Sequence, residues 1–143
     1  MLLVLVVVAA GAFLPLQVGM NGRLAHFVGG PVRASFVSFA VGGLILLAIV
    51  AIAYRGGGHR ATSAPWWAWL GGALGAFYVV SAIAVGPRLG ATTFFGILVA
   101  TQLVVSVILD RFGWVGYARH PPSPGRLAGV ALLVTGALLV RLF

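Results

Sequence analysis

The stretch Gly90 to Asp110, GATTFFGILVATQLVVSVILD, constrains this chain more than any other. Apart from hydroxyls and Gln102 it stays apolar for about twenty residues, long enough for a helix rising about 1.5 Å per residue to cross roughly 30 Å of bilayer hydrocarbon. Gln102, Ser106 and Asp110 follow at steps of four and share one stripe. On a membrane helix such a stripe must face protein or water, because lipid offers its polar atoms no partner.

The rest of the chain has the same character. Hydrophobic residues make up 62% of it and charged residues 7%, which leaves a soluble domain too little polar surface to cover itself. With 143 residues and no cysteine, one membrane domain, residues 1–143, fills the chain, without a disulfide framework or thiolate metal site. The formal charge of +8 comes from nine arginines and one aspartate. These arginines punctuate apolar spans, so they speak for membrane topology and against nucleic-acid binding.

Five spans are expected, at residues 2–20, 34–54, 66–85, 90–109 and 125–140, giving an all-α integral membrane fold. In the first, Pro15 should kink the helix ahead of Gln17. Gln17 and Asn21, four apart, share a face that serves either solute binding or a bond to a neighbouring helix. Gly22 to Arg33 is a short connector with Gly29, Gly30 and Pro31 as turn residues. The second span carries Ser35, Ser38 and Gly42 as a small-residue packing face. A glycine-rich link, Arg55 to Pro65, follows; its His59 reads as a solvated loop residue, because the chain offers no metal-ligand partners nearby.

Trp66, Trp67 and Trp69 anchor the entry of the third span at headgroup level. Gly71 and Gly75 have GxxxG spacing there and are assigned to packing, while Tyr78, near mid-span, needs a partner for its hydroxyl. Gly86 to Gly90 reads as a tight helical hairpin turn. The fourth span ends at Asp110-Arg111, where mutual neutralisation or anchoring competes with a role for Asp110 in ion or proton coupling. The last span looks short for a crossing, a mismatch that local thinning and its flanking arginines, Arg126 and Arg141, can absorb. Gly125, Gly129 and Gly136 form its packing seam.

An odd number of spans puts the termini on opposite sides and sorts the arginines. Arg55, Arg60, Arg111, Arg119 and Arg126 make five on one side; Arg23, Arg33, Arg88 and Arg141 make four on the other. Orientation follows that bias, and here it is nearly absent, so both insertions are expected to coexist. Two oppositely inserted copies acquire a pseudo-two-fold axis in the membrane plane, the symmetry with which a transporter exposes one site alternately to either side.

The chain also resembles the short, five-helix YdcZ-type family of the drug/metabolite transporter superfamily, related to EamA-type and small multidrug-resistance transporters. The resemblance covers essentially the whole length. It rests on Gln17-x-x-x-Asn21-x-x-Leu24, Ser38-Phe39-x-x-Gly42, Trp69-Leu-Gly71-Gly72-x-x-Gly75, Gln102 with Asp110-x-Phe112-Gly113, and Arg126-x-x-Gly129. It implies half of a ten-helix inverted-repeat transporter. The small multidrug-resistance proteins couple export to protons through a first-helix glutamate, and this chain contains no glutamate; its nearest polar counterpart there is Gln17.

These readings converge on a small-solute transporter working by alternating access as an inverted, dual-topology dimer. It is expected to export a neutral polar or anionic metabolite from a bacterial inner membrane. The expected solute-binding residues are Gln17, Asn21, Tyr78 and Gln102, and the expected partners are the solute, the lipid bilayer and a second copy or paralogue; no cofactor is expected. The rival is a non-transporting, helix-packing membrane subunit, for which the glycine seams suffice. A membrane enzyme is disfavoured because no histidine, acid and serine cluster has a spacing suited to proton transfer.

Overall fold

The computed structural model describes residues 1–53 and 63–143. Within them the chain is all-α, with five helical segments each long and apolar enough to cross a membrane. The helices are α1 (Leu2–Val28), α2 (Pro31–Ala53), α3 (Gly71–Leu89), α4 (Ala91–Phe112) and α5 (Pro124–Leu142), with a 3-10 segment, Trp66–Leu70, leading into α3. Tyr54 at the end of the second expected span, and Arg55, His59 and Arg60 of the glycine-rich link, lie outside the described residues.

Helix ends depart from the hydropathy reading where a backbone feature overrides composition. The first helix continues through Pro15 and past Met20 to Val28, so most of the expected connector is helical. Only Gly29 and Gly30 intervene before α2, with φ of 84° and 131°, and both amides donate to the Ala25 carbonyl. Left-handed backbone of this kind is open to glycine at no steric cost, so the helix stops there and not at the first polar side chain. The expected turn at 86–90 shrinks in the same way. Pro87 lies inside α3, and Gly90, with φ 82°, is the one residue between α3 and α4.

The last helix is longer than composition implied. Ser123 caps it, its Oγ accepting from the Arg126 amide at 3.3 Å, and Pro124 takes the first turn, where its missing N–H costs nothing. Nineteen residues then rise about 28 Å, close to the bilayer core.

Two compact units make up the chain, residues 1–88 and 89–143. In the first, α1 and α2 form an antiparallel hairpin about Gly29-Gly30, and the buried positions are Asn21, Ala34, Ser35, Ala82, Ile83 and Gly86. A Cβ placed on Gly22 would meet Pro87 at 3.7 Å, and one on Gly75 would meet the Phe39 ring at 3.7 Å, so α3 touches both helices of its unit. In the second unit α4 packs along α5, where Ala100 and Ala137 are buried. Gly96 permits that approach: its Cβ would lie 3.8 Å from the Ala137 backbone. Small residues dominate both cores, as expected where close backbone contact and not hydrophobic burial holds helices together.

Candidate solute-binding groove

In the first unit, Asn21 and Ser38 organise the polar chemistry. The Asn21 Nδ2 donates to Ser38 Oγ at 3.0 Å, and Asn21 is only 7% exposed. The two residues stand equally far from the turn, eight before Gly29 and eight after Gly30, so a two-residue hairpin brings them face to face. That symmetry is legible in the sequence once the turn is located. Reading each helix alone assigned Ser38 to packing and missed the pair.

Gln17, one helical turn before Asn21, lines a groove of about 290 Å³ together with Ser38, Phe39, Gly42, Gly43 and Leu46. None of these lining side chains is charged. The groove combines one carboxamide, which both donates and accepts, with a hydroxyl, an aromatic ring and a glycine surface that permits close approach. Among the described residues the Gln17 side chain has no hydrogen-bond partner within the protein, in contrast to Asn21. The structure therefore brings Gln17 and Asn21 to one place and gives them different tasks, one facing the groove and the other bonding α1 to α2.

Tyr78 lies in the same unit, on α3. Its hydroxyl is buried and has no hydrogen-bond partner among the described residues. A buried hydroxyl left unpaired costs about 1–3 kcal/mol, so this atom is primed to accept a partner.

Gln102 belongs to the second unit, and its side chain is exposed on α4 without a partner among the described residues. Ser106 of the same stripe turns its hydroxyl to the Gln102 backbone carbonyl at 2.7 Å. Asp110 is engaged across the connector: its Oδ2 accepts from Arg126 at 3.3 Å, with the two side chains 29% and 51% exposed. Its backbone carbonyl accepts from the His120 amide at 2.8 Å, and Arg119 Nε donates to the Arg111 carbonyl at 3.4 Å. Asp110 thus pairs with Arg126 and not with its neighbour Arg111, whose guanidinium lies 5.8 Å from the Phe112 ring centroid. These bonds fold the connector back onto the end of α4.

The packing glycines behave unequally. Gly75 meets Phe39, whereas a Cβ on Gly71, Gly125, Gly129 or Gly136 would meet nothing within 4 Å. The glycine at the α4–α5 contact is Gly96, which GxxxG spacing did not single out. No group of three or more histidine, cysteine or acidic residues suited to a metal occurs among the described residues.

Comparison with known proteins agrees with this architecture. The family model described as "Putative inner membrane exporter, YdcZ" matches residues 2–139. The inner membrane protein YdcZ of Escherichia coli (strain K12) is 31% identical over 135 residues, covering 93% of this chain and 90% of the relative. No solved structure matches the chain. A match spanning nearly every residue, over five helices able to cross a bilayer, places this multi-pass inner-membrane protein in the YdcZ family of exporters.

Proposed function

We propose that the chain is a small-solute exporter that works by alternating access as an inverted, dual-topology dimer, its two units acting together as one membrane domain, and that its solute is a neutral polar or anionic metabolite. The uncharged groove around Gln17 carries the reading. A lipophilic cation needs a countercharge in low dielectric, and this chain has no glutamate and one aspartate, itself paired with Arg126. Amides and hydroxyls instead suit a solute that both donates and accepts hydrogen bonds. Gln17, Asn21, Tyr78 and Gln102 are the proposed solute contacts, with Asn21 acting mainly by fixing α1 against α2. Ion coupling, where present, falls to Asp110.

The open glycine face of α5 supports a helix-packing role as the second reading, since Gly125, Gly129 and Gly136 are free to receive another helix. One pair of variants separates the two. For a transporter, Gln17→Leu and Gln102→Leu fold and dimerise but lose flux of a solute found by thermal-shift screening of neutral and anionic metabolites. For a scaffold, the same changes alter assembly alone. Reconstituted uptake of a quaternary ammonium that Gln17→Ala abolishes would refute the solute class. C-terminal reporters active only in the cytosol would refute the inverted dimer.

A further inference from the structure

A second groove, of about 410 Å³, runs between α4 and α5 in the second unit. Ile97, Ala100, Val104, Val134 and Leu138 give it an apolar wall, and Arg141 stands at its end. Thr101 also borders it but spends its hydroxyl on the Ile97 carbonyl at 2.9 Å, so the wall offers no free side-chain donor before the guanidinium. Arg141 differs from the other arginines of this unit. Arg126 holds Asp110, Arg119 donates to the Arg111 carbonyl, and Arg111 lies beside Phe112. Arg141 alone has no protein partner among the described residues.

From this arrangement we infer that the α4–α5 groove binds one anionic phospholipid, an acyl chain lying along the apolar wall and the headgroup phosphate on Arg141. The position suits it: Arg141 is in the last turn of a helix about as long as the hydrocarbon core is thick, where a guanidinium reaches the headgroup level. Its planar fork matches phosphate oxygens in a bidentate fashion, and a basic residue at such a depth attracts anionic lipid.

The faces that would receive protein point elsewhere. On α5 the groove is lined from 134, 137, 138 and 141, while Gly125, Gly129 and Gly136 fall on the opposite side at 100° per residue. On α4 the lining residues 97, 100, 101 and 104 likewise lie opposite the Gln102–Ser106 stripe. A second copy seated on the glycine face leaves this groove to lipid.

The test is native mass spectrometry of the full chain in detergent, titrated with phosphatidylglycerol, with phosphatidylcholine and inorganic phosphate as controls. One phosphatidylglycerol should be retained per chain, more tightly than phosphatidylcholine, and phosphate alone should not compete. Arg141→Gln should weaken phosphatidylglycerol by about five-fold and leave phosphatidylcholine unchanged, Arg141→Lys should keep much of the preference, and Arg119→Gln should change nothing. Thr101→Trp, which fills the groove from α4, should weaken both lipids and keeps the inference testable where Arg141 variants fail to fold. Equal binding of the two lipids by the native chain, an unchanged Arg141→Gln variant, or competition by free phosphate would overturn it. So would a Leu138→Cys disulfide between copies forming in membranes at the expense of bound lipid.

Discussion

Removing the Asn21–Ser38 hydrogen bond should cost a measurable, non-additive amount of stability. The contact is a neutral N–H···O bond at 3.0 Å, within the normal range, and it joins a side chain of α1 to a side chain of α2. Such bonds in membrane proteins average about 0.6 kcal/mol in double-mutant cycles and reach about 1.7 kcal/mol. The two truncations differ in what they leave behind. Ser38→Ala strands a carboxamide that is 7% exposed, with a cost of about 1–3 kcal/mol for an unsatisfied buried group. Asn21→Ala frees a hydroxyl that can turn to the carbonyl four residues earlier, as Ser35 already does toward Pro31 at 2.8 Å, so the polar part of its cost is smaller. The assay is equilibrium unfolding in mixed micelles for the wild type, both single variants and the double variant. A coupling energy between about 0.6 and 1.7 kcal/mol is expected. Ser35→Ala combined with Asn21→Ala is the control and should be additive, because Ser35 bonds only within its own helix. Coupling under about 0.3 kcal/mol would refute the reasoning, since that is the scatter of independent sites.

Three further outcomes follow from local geometry. Gly96→Ala should be tolerated, its Cβ meeting Ala137 at ordinary contact distances, whereas Gly96→Leu should force α4 from α5 and lower stability by about 1–3 kcal/mol in the same unfolding assay. Gly113→Ala should destabilise by about 1–2 kcal/mol, because residue 113 has φ 66° and the new methyl would sit 2.6 Å from Arg119 Cγ; limited proteolysis within 114–123 should then accelerate. Asp110→Asn breaks an ion pair that is partly exposed and should cost less than about 1 kcal/mol, so a large loss of solute flux in that variant with the fold intact would mark Asp110 as an ion-coupling residue.

The five helices were legible because each needs only length and hydropathy, and both are written locally in the sequence. Their ends were less so. Polar residues at 21, 23 and 26 look like an exit into water, yet the helix runs on to Val28, stopped by the positive φ of Gly29. A proline inside α3, Pro87, suggested a turn that the backbone places three residues later, at Gly90. Candidate polar residues were legible as individuals, since an amide in an apolar span is conspicuous. Their partners were not, because partnership depends on register between helices. Ser38 joins Asn21 only when the hairpin is known to turn at Gly29-Gly30, and Asp110 meets Arg126 only when the connector folds back. Spacing motifs passed over Gly96 for the same reason: GxxxG describes one helix, and Gly96 matters because of where Ala137 lies on the next.

The polar side chains divide by whether a helix can satisfy them alone. Ser35, Thr101, Ser106 and Thr135 each donate to the carbonyl four residues earlier, so these hydroxyls need no second helix and can even face lipid. A carboxamide has two donors and a two-lone-pair acceptor, more than its own helix can satisfy. Asn21 answers part of that demand with Ser38; Gln17 and Gln102 have no partner among the described residues. The stripe on α4 therefore reduces to one demanding member, since Ser106 is self-satisfied and Asp110 is held by Arg126. Each unit is left with one amide whose hydrogen bonds must come from outside that unit, and in hydrocarbon the only sources are a solute, water or other protein. Because a residue that served packing alone would gain by being closed off as Asn21 is, the openness of Gln17 and Gln102 is the physical ground on which we propose them as solute contacts and not as scaffold residues.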